Sequence, residues 1–240
     1  MREIFTREED ESLLNIEISI EAGVYKDEYP WLFSVFLKYD ASDSSNENYE
    51  EFLETKESLI IAIEYEDKAK YLATRVVDGW CEFYFCASTS KELNSMAKAI
   101  LKDTGLTYES NIVKDKKWDF YETQLFPTEL ELAHIQSAKI IFLLQEEGDD
   151  LNVSRDVEHY VSFSTPTQKN KFLNTLELDG FSFKDDVSSE EFENGVALVK
   201  NHVVTEDEVR KIVDQLFKKV KENQGYYEGW STTLVDGEDS

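Results

Sequence analysis

The chain switches repeatedly between two-residue and helical periodicity. Leu13 to Glu21 alternates apolar and polar positions from Leu14 onward and predicts a half-buried strand. Trp31 to Tyr39 is a denser strand of Phe, Val and Leu, and the turn from Gly23 to Pro30 between them predicts a meander. A Ser/Asp/Asn loop follows over Ala41 to Asn48. Tyr49 to Tyr65 places Phe52, Leu53, Leu59, Ile60 and Ile63 at helical spacing. Tyr71 to Val77 and Trp80 to Ala87 read as strands joined at Asp78-Gly79, a hairpin signal because both residues tolerate the positive φ of the tight turn. Thr89 to Asp103 is a second helix lined by Leu93, Met96, Ala97, Ile100 and Leu101, with Ser88 or Ser90 as its cap. Leu106 to Val113 and Trp118 to Phe126 predict a last strand pair.

Pro127-Thr128-Glu129 opens a new helix, capped by Thr128 and running to Gly148. Asn152 to Phe163 is an alternating strand with Val157, His159, Val161 and Phe163 on one face. Ser164-Thr165-Pro166 starts a helix to Leu178, Phe181 to Phe183 is a short strand, Val187 to Asn194 a polar loop and Val196 to Val203 a strand. Thr205 to Asn223 is an amphipathic helix whose Thr205-Glu-Asp-Glu208 start matches a capping box. Gly225 stops it, and the aromatic and β-branched run after it is a closing strand in which Gly229 marks a bulge. The expected fold is α+β: two α/β-sandwich domains with antiparallel sheets. They span residues 1–126 and 127–240, the second adding a ferredoxin-like β-α-β-β-α-β order to a leading helix at 128–147.

Charge narrows the partners. The net charge is −26, and each half, divided at Leu125, carries −13, so the acidity is global. Such a field repels phosphate backbones and disfavours direct nucleic-acid binding, while it steers basic proteins toward the chain. It also serves plain solubility. No run approaches the roughly 20 apolar residues of a membrane helix. Met1 to Ser12 lacks an apolar secretory core, so a cytoplasmic protein is expected. Cys81 and Cys86 are five apart on one strand and point to opposite faces, which argues for reduced thiols.

Three landmarks are familiar together: Val157-Glu158-His159-Tyr160-Val161-Ser162-Phe163, Leu178-Asp179-Gly180-Phe181 after the next helix, and Gly225-Tyr226-Tyr227-Glu228-Gly229-Trp230 before an acidic tail. Residues 150–240 resemble the regulator of ribonuclease activity B family, whose members show an Ile-Glu-His strand, a Leu-Gly-Tyr turn and a Tyr-Asp-Gly-Trp strand. The resemblance implies binding rather than catalysis: its members are inhibitors that bind ribonuclease E and alter RNA decay. Those members are single-domain and often carry a longer acidic tail than Val235 to Ser240. The first 125 residues resemble a domain of unknown function found alone or fused ahead of this one, through a Pro-Trp strand near residue 30 and an Arg75-Val-Val-Asp-Gly79 hairpin. That resemblance implies no activity.

The residues themselves offer little chemistry. His134, His159 and His202 make no metal-binding spacing, and there is neither a nucleophile elbow nor a phosphate-cradling glycine loop. No cofactor or metal is expected, and His159 reads as a hydrogen-bonded core histidine. The expected function is a non-catalytic acidic regulator that binds a protein, an endoribonuclease being the one the resemblance suggests. The candidate partner-binding residues are Tyr226, Tyr227, Glu228 and Trp230, since exposed aromatic side chains dominate binding energy. A buried tryptophan with no other role is the plain alternative. The rival reading is a hydrolase or small-ligand-binding protein with its site between the two domains. The acid-Gly-Trp triplets at Asp78-Gly79-Trp80 and Glu228-Gly229-Trp230 suggest a duplication, or more simply chance and shared hairpin chemistry. Oligomeric state is open.

Overall fold

The computed structural model describes residues 2–9, 12–39, 46–174, 180–187 and 194–235. The chain divides into two compact units, Met1–Phe126 and Pro127–Ser240. Both are α+β with antiparallel sheets, the expected class.

The first unit runs β1 (Arg2–Glu9), β2 (Ser12–Ser19), β3 (Trp31–Lys38), α1 (Asn46–Glu64), β4 (Ala69–Val77), β5 (Trp80–Ala87), α2 (Leu93–Leu101) and β6 (Tyr108–Lys114). Its six strands lie in the order β1-β2-β4-β5-β3-β6. The predicted meander is not formed: β2 pairs with β1 and β4, while β3 pairs with β5 and β6. β1 escaped the sequence reading because an edge strand buries little; only Phe5 in it is buried. The Asp78-Gly79 hairpin forms, with φ of +47° and +77°. The helices pack on one face over Phe33, Val35, Leu37, Phe83 and Phe85. The opposite face is closed by the segment expected as a strand, 118–126. That segment instead turns helically, Tyr121–Leu125, and buries Trp118, Tyr121 and Leu125. Their spacing of three and four residues is helical, and it overrides the β-propensity of aromatic side chains. The Trp118 indole donates to the Tyr29 carbonyl (3.0 Å) and the Tyr121 hydroxyl to the Ser19 carbonyl (2.8 Å), tying this strap to the sheet. Cys81 and Cys86 are free and buried, and burial pushes both thiols up to about 12, which disfavours the thiolate form.

The second unit runs α3 (Glu129–Glu146), β7 (Arg155–Phe163), α4 (Pro166–Leu173), β8 (Ser182–Val187), β9 (Gly195–His202), α5 (Glu206–Glu222) and β10 (Gly225–Thr232). Its sheet order, β10-β7-β9-β8, is the ferredoxin-like arrangement. The expected helix end at 175–178 and most of the polar loop, 188–193, lie outside the described residues. Thr128 forms a full capping box with Glu131. The box expected at Thr205 does not form; three acidic residues in the first turn complement the helix dipole there instead. Neither Ser88 nor Ser90 caps α2, which starts from Glu92 at φ +70°.

The β3-α1-β4-β5-α2-β6 part of the first unit has the same strand order, β4-β5-β3-β6, as the second unit's β8-β9-β7-β10. The two acid-Gly-Trp triplets do not correspond within that shared plan. One occupies the β4–β5 hairpin, the other the middle of the last strand.

Candidate functional site

β7 is the centre of the second unit. Its inward positions Val157, His159, Val161 and Phe163 alternate with outward Asp156, Glu158, Tyr160 and Ser162. β10 pairs along it with a bulge between Tyr227 and Gly229, the latter at φ +124°. The bulge has a specific effect. Residues three apart on a regular strand point to opposite faces, but the extra residue, Glu228, turns both Tyr227 and Trp230 inward.

The candidate partner-binding set therefore divides. Trp230 is 4% exposed, and its indole donates to Ser137 Oγ of α3 at 3.0 Å. It is an internal anchor, as the plain alternative of a buried tryptophan expects. Tyr227 is half-buried and its hydroxyl meets His159 Nδ1 at 3.1 Å; burial pushes the phenol above its ordinary range. Tyr226 is 49% exposed, with Lys221 Nζ 4.8 Å above its ring. Glu228 accepts from the Ser162 hydroxyl on the outward side. Of the four, Tyr226 is exposed, Tyr227 and Glu228 are half-buried on opposite faces, and Trp230 is buried.

The inward cluster links all three sequence landmarks. His159 is fully buried, with Phe181 edge-on at 5.5 Å and His202 Nε2 at 3.2 Å from its Nε2. The protons follow by elimination. His202 Nδ1 lies 2.7 Å from the Val203 carbonyl, so it donates and its Nε2 accepts. His159 Nε2 must then donate to His202, its Nδ1 accepts, and the Tyr227 hydroxyl donates to that nitrogen. Burial lowers His159 to about 3, helped by the charges of His202 and Lys200, and burial also lowers His202. The pair is neutral and sealed from solvent. Its pairing was illegible in the sequence because it depends on the β7–β9 register, which sets Arg155 opposite His202 and His159 opposite Leu198. His134 meets Asp214 of α5 at 2.8 Å, apart from this chain.

The pH consequence has a definite sign. The unfolded histidine takes up its proton near 6.5, and the folded one resists until about 3, so the unfolded state binds more protons between these values. Stability should be full above pH 6.5 and fall on acidification, by up to about 1.4 kcal/mol per pH unit for each such histidine. Denaturation midpoints at pH 7.5 and 5.5 should converge for His159→Gln relative to the parent. Equal slopes would show that His159 is solvated.

The outward face carries what a sequence alternation could have revealed and did not: Asp156, Glu158 and Tyr160 in a row opposite the apolar face. The Tyr160 hydroxyl bonds Glu158 (3.1 Å) and Ser231 (2.9 Å), Asn201 bonds Asp156 (2.9 Å), and Lys184 of β8 pairs with Glu158. Among the described residues, no three His, Cys, Asp or Glu side chains are grouped to hold a metal, and no helix is long and apolar enough to cross a membrane.

With this geometry in place, comparisons locate the two halves. Residues 134–232 match the family described as regulator of ribonuclease activity B (RraB), and residues 6–126 match a family of unknown function (DUF695). No curated protein matches the chain. The RraB match runs from within α3 to the end of β10, so the buried Tyr227–His159–His202 chain and the Trp230–Ser137 bond both lie inside it.

Proposed function

Because the chain belongs to the family of unknown function DUF695 and matches RraB across its second half, we propose that it is a non-catalytic, protein-binding regulator that modulates an endoribonuclease and through it RNA decay. The observation that carries this reading is the RraB match over residues 134–232. Two features support it. The paired histidines, the most reactive-looking groups of the unit, are buried and neutral, with their protons committed to internal bonds. The chain's net charge of −26 favours a basic protein over RNA.

The test is cleavage of a labelled RNA by purified endoribonucleases with and without equimolar chain. The expected result is a changed cleavage rate for one of them, with a complex that weakens as salt rises. Unchanged rates across the panel and no complex even at low salt would refute the proposal. So would cleavage of the RNA by the chain alone.

A further inference from the structure

We propose that the face of the β10-β7-β9-β8 sheet opposite its helices is the docking surface, and that its occupant is an extended, arginine-bearing segment of a partner protein. This rests on the reading of the chain as a protein-binding regulator. Most of the sheet's large apolar side chains are turned to the helical side, where α4 and α5 cover Val161, Phe163 and Leu198 and α3 receives Trp230, while Phe183 and Val199 stay on the other. What remains on the other side is a depression of about 630 Å³. Asp156, Glu158, Asn201 and Ser231 line it with Phe183 and Val199.

The chemistry of that lining selects the occupant. Asp156 and Glu158 are two residues apart on one strand and so project side by side. Glu228 adds a third carboxylate to the same face beyond them, at Ser162. Lys184 also lines the depression and is already paired with Glu158. A guanidinium matches this surface better than an ammonium does. Its planar fork can bridge carboxylate, amide and hydroxyl acceptors at once, and its flat face can lie on the 51%-exposed ring of Phe183. The hydrogen bonds of Tyr160 to Glu158 and Ser231, and of Asn201 to Asp156, hold the acceptors in place before binding, which lowers the ordering cost. RNA would present phosphates to the same carboxylates and be repelled.

The experiment uses the full chain and fluorescence anisotropy with three labelled probes: a short peptide alternating arginine and glycine, its lysine counterpart, and a single-stranded RNA. The arginine peptide should bind most tightly. The paired substitution Asp156→Asn with Glu158→Gln, both outward-facing, should weaken it by about tenfold. Glu146→Gln, exposed at the end of α3, should leave it unchanged. Equal binding by all three proteins, a lysine peptide as tight as the arginine one, or preference for RNA would overturn the proposal. The two readings separate cleanly. Ribonuclease modulation that survives Asp156→Asn/Glu158→Gln would overturn the surface and leave the regulatory reading standing. Capture of the peptide by this face with no ribonuclease responding would do the reverse.

Discussion

Replacing Arg155 with alanine should lower the stability of the second unit by about 3–5 kcal/mol, because it strands a buried carboxylate. The Asp149 side chain has no exposed surface and that of Arg155 is 5% exposed. One Arg155 Nη1 serves both Asp149 Oδ2 and the Thr233 carbonyl (3.2 Å), Nη2 reaches the Asp150 carbonyl, and Nε the Val153 carbonyl (3.2 Å). Asp149 Oδ2 also accepts from the Val235 amide (2.8 Å), while Oδ1 has no partner among the described residues. Burial pulls the Asp149 carboxyl upward, and the bonds from Arg155 and Val235 outweigh it and hold it below the ordinary range. Its contribution is therefore present at neutral pH and is lost as pH falls through the acid range. Lysine at position 155 should recover little, since a single ammonium cannot replace the fork. Pairing Arg155→Met with Asp149→Leu should restore much of the loss by removing both charges. Amide hydrogen exchange in β7 and β10 reads the second unit separately. A loss under about 1 kcal/mol would mean the pair is solvated, as surface pairs are.

Trp230→Ala should cost a similar amount, about 3–5 kcal/mol, from the cavity left among α3, α5 and β10. Trp230→Phe should cost less, since it keeps most of the apolar contact and loses the bond to Ser137, whose hydroxyl still donates to the Ala133 carbonyl (2.8 Å). Tyr226→Ala, on the same strand but exposed, should stay within about 0.5 kcal/mol of the parent. Thermal or urea midpoints of the three variants decide the matter. If Trp230→Ala kept its midpoint and lost only partner binding, the indole would be a surface anchor after all.

Periodicity exposed most elements, because burying one face of a strand or helix leaves a local pattern. What it could not expose is nonlocal. The His159–His202 contact and the Arg155 fork require the pairing of β7 with β9 and the return of the chain at 233–235. Trp118 to Phe126 misled because aromatic residues satisfy strand propensity while their spacing obeys a helix. β1 hid because an edge strand needs few apolar residues. For Trp230 the sequence left burial and exposure as alternatives, and for Tyr227 it suggested exposure, since one inserted residue decides which way both point. The outward row Asp156, Glu158, Tyr160 stands in plain alternation, but polar residues on a strand's outer face are the rule, so the pattern alone does not mark a surface for binding.

The aromatic strap of the first unit has a consequence for the second. Two sheets that share a four-strand plan differ in that one supplies its own cover from a few residues downstream, while among the described residues of the other no such strap lies on the equivalent side. The first half thus shows, within a single polypeptide, what a lid for such a sheet consists of: a compact helical turn hung from main-chain oxygens by ring N–H and O–H groups. Transplanting that turn onto the second half would create a self-occluded protein, a built-in competitor against which any incoming ligand could be measured.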